Sequence, residues 1–357
     1  MNLAALLFYS TLIKYLALPI VMNRLIVFSI LSVVLISCKK EEPSVYDGWT
    51  PFTIKELQYN ETYNWFPGYE VLNIEFITSE RIFICAANEA VYPEGAGMFS
   101  TDGGMTWEYV VGAGEGPAMH TSSFPSDLVG YTKLVSWGDP KLYKTVDGGE
   151  TWSQVSVVGG FDSYNYSGEL YFVTEEKGFM GKYRTEDGGV SWIEISELTG
   201  TVMNEFDFAS PSVGYVGTDD GVIYKTVDGG DSWSSIYSGE EAITDIQFLS
   251  EEVGFYSHEN KLYKTTNGGL DWSMTFPIDI SCFYFADENT GFVGHEENIF
   301  KTVDGGASWS LNYVGEKVSF KSISGWNTTV IAGGRTIVNQ LDSTYNAYIY
   351  RTTTLGE

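Results

Sequence analysis

An eight-residue string recurs six times along this chain and constrains its fold more than any other feature. Each copy joins a hydroxyl residue, an Asp or Asn, a Gly-Gly pair and a tryptophan. The copies are STDGGMTW (Ser100 to Trp107), TVDGGETW (Thr145 to Trp152), TEDGGVSW (Thr185 to Trp192), TVDGGDSW (Thr226 to Trp233), TTNGGLDW (Thr265 to Trp272) and TVDGGASW (Thr302 to Trp309). Successive tryptophans are 45, 40, 41, 39 and 37 residues apart. This period accommodates four short strands with their turns, the content of one β-propeller blade.

The strands can be recognised within one unit, Ile243 to Trp272. ITDIQFL alternates as a first strand, VGFYSH is a second, KLYKT is a third, and a fourth begins near Trp272. A Gly-aromatic pair opens the second strand in five units, at Gly130-Tyr131, Gly178-Phe179, Gly214-Tyr215, Gly254-Phe255 and Gly291-Phe292. The unit therefore predicts four antiparallel strands per repeat.

The two ends of the chain supply a seventh unit between them. Tyr348 to Thr352 matches a third strand but no tryptophan follows it, whereas Asp47-Gly48-Trp49 and TPFTIKEL match the end of a box and a fourth strand. Pairing the two ends would leave no sheet edge open. We therefore predict an all-β fold, a seven-bladed β-propeller of four-stranded blades over residues 46–357, with its last blade closed by the N- and C-terminal strands. An insertion from Arg335 to Asn346 is expected in that blade.

The strings resemble the Asp-box of the BNR-repeat propellers found in sialidases, sortilin-type receptors and xyloglucanases. The full unit, ending iYKTvDGGxsW, is similar to the photosystem II stability and assembly factor family and its bacterial relatives. The resemblance covers residues 46–357 and implies a propeller whose boxes lie at the blade periphery, away from any ligand. From the photosystem family it implies an assembly or scaffold role.

The box residues have a physical role at the turn between the third and fourth strands. Paired glycines permit positive φ, the Asp or Asn oxygen accepts turn amides, and the tryptophan covers the turn. We interpret these residues as structural turn locks rather than catalytic acids. They are Asp102, Asp147, Asp187, Asp228, Asn267 and Asp304, with Trp107, Trp152, Trp192, Trp233, Trp272 and Trp309.

The N-terminus is typical of a targeting segment. Met22-Asn23-Arg24 is a short basic region, Leu25 to Ile36 is an apolar core, and Leu35 to Cys38 reads LISC. This resembles a bacterial lipoprotein signal, which implies cleavage before Cys38 and lipidation of its thiol. A true start at Met22 is expected, because a start codon assigned too early explains the extra apolar run Leu3 to Val21. Residues 1–38 are then a signal segment and 39–45 a short tether; an uncleaved membrane helix is the alternative. The following CKKEEP resembles a surface-export signal, so we expect an outer-membrane lipoprotein of the cell envelope, with exposure at the cell surface favoured.

Charge limits the partners. The formal net charge is −27, and beyond Cys38 the chain has 47 acidic and 18 basic residues. Such a surface repels phosphate backbones, so nucleic acid is not expected as a partner. Cys85 and Cys282 each lie alone in an apolar strand and are predicted to be buried free thiols.

A ligand is expected on the face opposite the boxes, where inter-blade loops break the repeat pattern. The candidate residues there are aromatic: Tyr59, Tyr63, Trp65, Tyr69, Trp137, Tyr164 and Tyr166. Aromatic platforms suit sugars or peptide segments, although any one of these residues could instead be a packing plug between blades. His258 and His295 occupy equivalent turns of adjacent blades and are candidates for a metal or proton-responsive pair, with plain polar hairpin turns as the alternative.

The sequence offers few residues that indicate an enzyme. The resemblance to sialidases requires three arginines around a substrate carboxylate, yet beyond Cys38 the chain has only Arg81, Arg184, Arg335 and Arg351, and we place all but Arg335 on the box side. A two-carboxylate glycosidase has no identifying spacing. We therefore predict a non-enzymatic, monomeric binding or assembly module for a protein or glycan partner, with no cofactor. A glycoside hydrolase or glycan-binding protein of the BNR type is the alternative.

Overall fold

A computed structural model defines the structure of residues 49–53, 70–88, 94–111, 118–135, 141–155, 169–198, 200–315, 318–339 and 344–355. Within these ranges, 28 β-strands form seven antiparallel sheets of four strands each. A 3-10 turn, Ser196–Leu198, interrupts the strand pattern. No helix in these ranges is long and apolar enough to span a bilayer. The protein is a seven-bladed β-propeller, as predicted.

Six blades are continuous in sequence. Blade 1 contains β2 (Glu70–Phe76), β3 (Ile82–Asn88), β4 (Glu94–Ser100) and β5 (Glu108–Val111); blade 2 contains β6 (Ala118–Ser123), β7 (Gly130–Val135), β8 (Lys141–Thr145) and β9 (Ser153–Gln154); blade 3 contains β10 (Leu170–Phe172), β11 (Gly178–Met180), β12 (Tyr183–Thr185) and β13 (Ile193–Glu194). Blade 4 contains β14 (Met203–Phe208), β15 (Gly214–Thr218), β16 (Val222–Thr226) and β17 (Ser234–Ser238); blade 5 contains β18 (Ile243–Phe248), β19 (Gly254–His258), β20 (Lys261–Thr265) and β21 (Ser273–Phe276); blade 6 contains β22 (Cys282–Phe285), β23 (Gly291–His295), β24 (Asn298–Thr302) and β25 (Ser310–Val314).

Blade 7 is composite. Its strands are, from the centre outward, β26 (Val318–Trp326), β27 (Thr329–Asn339), β28 (Thr344–Thr352) and β1 (Thr50–Thr53). Thr50 pairs with Arg351, just as Ser153 pairs with Lys144 in blade 2. The predicted closure by the two chain ends is confirmed.

Trp49 takes the place of a box tryptophan at this closure. It is 3% exposed, and its Nε1 donates to Oδ1 of Asn312 in blade 6 over 2.7 Å. Its ring meets the edge of Phe292 with centroids 6.0 Å apart. The start of the propeller is thereby held by blade 6 as well as by blade 7.

The Arg335 to Asn346 insertion differs from a loop. Arg335 to Asn339 continue β27 and Thr344 to Asn346 begin β28, so the insertion lengthens a hairpin by backbone pairing. Residues 340–343, and residues 54–57 of the fourth strand predicted at the N-terminus, lie outside the described residues.

Aromatic stacking joins successive blades and explains the Gly-aromatic pairs. Tyr215 of blade 4 stacks on Phe248 of blade 5 with ring centroids 3.4 Å apart. A Cβ on Gly254 would lie 2.5 Å from the ring of that same Phe248, so the glycine makes room for the stack. The same contact of glycine with a first-strand phenylalanine recurs at Gly130, Gly178, Gly214 and Gly291. Apolar side chains fill every interface between neighbouring blades, including the one between blades 7 and 1.

The turns define two faces. The box turns lie at one end of each sheet, beside the turns between first and second strands; in blade 4, Gly229 N donates to Ser212 O over 2.8 Å. We call this end the box face. The turns between second and third strands, and the loops between blades, form the opposite face.

Candidate functional site

Each box aspartate is occupied by its own turn. In blade 4, the Oδ1 of Asp228 accepts from Thr226 Oγ1 at 2.7 Å and from Ser232 N at 2.9 Å, while its Oδ2 accepts from Ser232 Oγ at 2.6 Å. The Ser232 hydroxyl and amide lower the pKa of Asp228. Asp102, Asp147, Asp187 and Asp304 have equivalent donors. These carboxylates act as acceptors within a turn, which is a structural use.

The box of blade 5 reverses the polarity of one contact. Asn267 Oδ1 accepts from Thr265 Oγ1 at 2.9 Å and Asp271 N at 3.0 Å, as an aspartate would. Its Nδ2 donates to Oδ2 of Asp271 over 3.0 Å, at a position where the other boxes have Ser or Thr. The donor and the acceptor of this contact have exchanged positions within the box, and the turn keeps the same hydrogen bonds.

Cations of the third strand link several of the boxes to the blade before them. Lys264 Nζ of blade 5 donates to Gly305 O in the box of blade 6 over 3.0 Å. Lys225 of blade 4 contacts Gly268 O at 3.3 Å, and Arg184 of blade 3 forms an ion pair with Asp231 in the box of blade 4. In blades 3, 4 and 5 the basic residue before the box is therefore a latch to the next blade, a role that the sequence reading missed although the residue is visible in each of these KT or RT pairs.

Blade 1 has phenylalanine at the latch position and uses a substitute. Arg81, from the first turn of blade 1, lies over the Phe99 ring at 5.9 Å and reaches Asp147 O at 3.5 Å and Glu150 at 3.4 Å in the next box. Arg335 instead contacts Oε2 of the buried Glu70 at 3.2 Å, across the closure. Arg351 likewise contacts the first box, through Gly103 O. Of the four arginines beyond Cys38, all in the described residues, three therefore make contacts at the box face, as the sequence analysis placed them.

The predicted aromatic ligand site lies outside the described residues. This holds for all seven candidates, Tyr59, Tyr63, Trp65, Tyr69, Trp137, Tyr164 and Tyr166. The described turns and loops of the opposite face are acidic, with Asp219, Asp220, Glu240, Glu241, Glu259, Glu296 and Glu297. The negative charge of these turns and loops is thus suited to a cationic partner.

His258 and His295 make equivalent contacts on that face. Nδ1 of His258 is 3.0 Å from Glu241 O, and Nδ1 of His295 contacts Asp279 O. Because a carbonyl oxygen can only accept, Nδ1 carries the proton and each ring ties a hairpin turn to the loop that precedes its blade. No group of three or more metal-ligating side chains occurs among the described residues. The metal role of this pair stays a prediction.

A row of side chains at the centre joins the first strands. The residue before the first-strand phenylalanine accepts the amide of the equivalent phenylalanine in the next blade: Glu75 from Phe124 at 2.9 Å, Ser123 from Phe172 at 2.8 Å, Asp207 from Phe248, and Gln247 from Phe285 at 2.8 Å. The sequence reading missed this row. Its signal was a polar residue before the phenylalanine at the end of four of the first strands.

Acids accumulate around this row and form a central acid cluster of Glu75, Glu169, Glu205, Asp207 and Asp245. Burial raises the pKa of Glu75 to about 7, that of Asp207 to about 6 and that of Asp245 to about 7. Burial and then the charges of Glu169 and Asp245 raise the pKa of Glu205 well above its usual range. The cluster therefore holds protons near neutral pH.

Glu169 is the member of the cluster that lies near the charge of a lysine. It accepts from the Thr121 hydroxyl, and the charge of Lys133 partly opposes the effect of burial, which raises the pKa of Glu169. Burial lowers the pKa of Lys133. This arrangement places one acid of the cluster near a compensating cation.

Comparison with known proteins identifies the repeat and the fold. The BNR/Asp-box repeat model matches residues 98–109, and no curated protein sequence matches the chain significantly. The structure of YCF48 bound to D1 peptide is 18% identical, with a TM-score of 0.63 over 87% of this chain and 98% of that one. YCF48 from Cyanidioschyzon merolae is 14% identical, with a TM-score of 0.60 over 85% and 98%. The GH74 xyloglucanase from Xanthomonas campestris is 12% identical, with a TM-score of 0.60 over 84% of this chain and 55% of that one. At these identities the likeness establishes the fold.

Proposed function

We propose that this chain is a non-enzymatic binding module that holds a segment of a partner protein on its opposite face. One observation carries the proposal: the chain overlaps 98% of a propeller, YCF48, that was solved with a D1 peptide. A propeller of this size is therefore sufficient to hold a protein segment. Propellers generally bind ligands where loops differ between blades, which here is the opposite face.

The division of labour between the two faces supports the proposal. On the box face, the carboxylates are occupied by their turns and latch cations such as Lys264 contact the next box. The opposite face carries acidic turns and the loops that depart from the repeat. A partner segment with basic residues fits this charge, so its binding should weaken as salt is added.

The proposal includes a lipid anchor on Cys38 that holds the module in the cell envelope, as a lipoprotein of the outer membrane. Its support is the basic, apolar and LISC arrangement that ends at this cysteine. An anchored propeller would keep its partner site near the membrane, which suits a scaffold or assembly role.

A glycan ligand is the alternative. The likeness to the xyloglucanase covers 55% of that enzyme and is 12% in identity, so it supports the shared fold and not a shared substrate. Retention of the chain on a polysaccharide, or shortening of that polysaccharide, would favour this alternative over a protein partner.

The test is capture by the full-length lipidated protein from intact cells, followed by rebinding of the purified partner at low and high salt. A Tyr63→Ala, Trp65→Ala and Tyr164→Ala triple variant should weaken binding about tenfold or more if these aromatics form the site. Trp326→Ala is the matched control, because Trp326 is an exposed aromatic, 41% accessible, on the box face. Equal binding by the triple variant, with wild-type melting, would place the site elsewhere.

A further inference from the structure

Every box presents one large apolar side chain to solvent. The six residues are Met105, Val146, Val190, Val227, Leu270 and Val303, with exposed fractions of 54%, 67%, 44%, 68%, 75% and 67%. They sit either just before the box Asp or Asn or just after the second glycine. Because the boxes recur around the propeller, these residues form an apolar ring on the box face.

The turn lock does not require the ring. The position before the acid is Thr in the boxes of blades 1 and 5 and Glu in that of blade 3, and the position after the glycines is Glu, Asp or Ala in blades 2, 4 and 6. Each box nevertheless has one large apolar residue at one of the two positions. Single exposed apolar residues are ordinary on protein surfaces, but one per repeat at the same level is a pattern that favours an interface.

Exposed apolar side chains are concentrated on this face among the described residues. Of the twelve large ones, the ring accounts for six, and two others lie on the same face, Leu128 in a first-to-second-strand turn and Trp326 at the end of β26 beside such a turn. One, Ile278, lies on the opposite face, and three, Ile193, Met274 and Leu311, lie on outermost strands close to the boxes.

The chain enters the propeller on the box face. Thr50 pairs with Arg351 at the box end of blade 7, so Trp49 lies where a box tryptophan would. Cys38 precedes Trp49 by 11 residues. Such a segment spans at most roughly 36–40 Å when fully extended. A membrane holding Cys38 would therefore lie within short reach of the ring.

We infer that the apolar ring rests on the bilayer surface to which Cys38 tethers the chain, so that the box face is turned to the membrane and the opposite face away from it. The inference rests on the lipid anchor of the proposed function. Acids flank the ring, among them Asp147, Glu150 and Asp231. They would repel anionic lipid, so the ring suits a bilayer of low surface charge, with aliphatic tips at the headgroup boundary.

The test uses the full-length lipidated chain in phosphatidylcholine and phosphatidylethanolamine vesicles that contain a shallow quenching lipid. A fluorophore is attached to Val227→Cys or to Glu240→Cys, which lie at opposite ends of blade 4. Cys85 and Cys282 are buried and do not compete for the label. We expect the label at 227 to be quenched several-fold more than the label at 240.

A ring variant combines Val146→Thr, Leu270→Ala and Val303→Thr. It introduces only residue types that other boxes already have at the same positions, as at Thr101, Thr266 and Ala307. With the label at 227 it should show quenching lower by about twofold or more at an unchanged melting temperature. A wild-type chain that does not float with the vesicles would overturn the anchor and this inference together. A chain that floats but is quenched equally at 227 and 240, or is unaffected by the ring variant, would overturn this inference alone.

Discussion

Arg351, near the end of the chain, donates from Nε to the carbonyl oxygen of Gly103 in the first box, 2.6 Å away and 248 positions earlier in the sequence. The contact repeats the latch of Lys264 on Gly305, but here it joins blade 7 to blade 1. The propeller is thus closed by the same contact that links its other blades.

Replacement of Arg351 tests this closure. Because a charge-assisted hydrogen bond at a partly exposed site is lost, Arg351→Met should lower the free energy of unfolding by about 1–2 kcal/mol. Lys301→Met is the matched control: Lys301 has the same strand position, rests over the Phe292 ring at 6.0 Å and faces a blade that lacks the Gly-Gly pair. Urea denaturation at neutral pH measures both, and equal losses would contradict the latch.

The box acid should tolerate an amide but not truncation. Asp228→Asn keeps the oxygen that accepts from Thr226 and Ser232, as Asn267 does in blade 5. We expect it to cost under about 1 kcal/mol, whereas Asp228→Ala removes all three acceptor contacts and should cost about 1–3 kcal/mol. Chemical denaturation of the two variants decides between them, and an amide variant as unstable as the alanine one would argue against the turn lock.

The central acid cluster should make the protein less stable at alkaline pH. The pKa of Glu75 is raised from 4.5 to about 7 and that of Asp245 from 3.8 to about 7 on folding. At a pH between the unfolded and the folded pKa of each group, the folded state binds more protons than the unfolded state. The stability conferred by the protonated groups is therefore complete below their unfolded pKa and is lost as pH rises through about 7. Melting temperatures should therefore be higher at pH 5.5 than at pH 8.

Glu205 offers a direct check on that pH dependence. Its pKa is raised by burial and by neighbouring acids, so it is the member that gains most from losing its charge. Glu205→Gln should raise the free energy of unfolding at pH 8 by about 1–3 kcal/mol and flatten the profile between pH 5.5 and 8. Glu240→Gln, on the surface, is the control. A profile that is unchanged by Glu205→Gln would rule out this residue as its source.

The two cysteines of the propeller should be unreactive while it is folded. Cys85 and Cys282 are free and buried, as predicted from their apolar strands. Burial raises the pKa of Cys282 to about 12, so the thiolate fraction at neutral pH falls by about a thousandfold against an ordinary thiol. Titration with a thiol reagent should detect both cysteines only in denaturant; prompt labelling of the native protein would contradict their burial.

Local chemistry made much of the fold predictable. The box specifies a turn within eight residues, so its six copies and their spacing predicted six blades. The matching fragments at the two chain ends predicted the seventh. The strands predicted from Ile243 to Trp272 correspond to β18, β19, β20 and the start of β21. These features depend on residues that are close in sequence.

The candidate site was less accessible to sequence reasoning. The aromatic side chains proposed as a ligand surface fall outside the described residues and stay predictions. Two regularities that were present in the letters, the basic residue before the box and the polar residue before the first-strand phenylalanine, were not recognised as contacts between blades. Asp271, which balances Asn267, was visible four residues away and was also missed.

The sequence by itself therefore determined the repeat, the turn chemistry and the count of blades, because each follows from hydrogen bonds and strand patterns within one unit. Only the tertiary structure decided which units meet. It placed Arg351 against Gly103, Glu75 beside the amide of Phe124, and Glu205 among the charges of Glu169 and Asp245. These contacts cross from blade to blade over tens to hundreds of residues, and their energies depend on burial and on neighbouring charge, which a linear pattern does not contain.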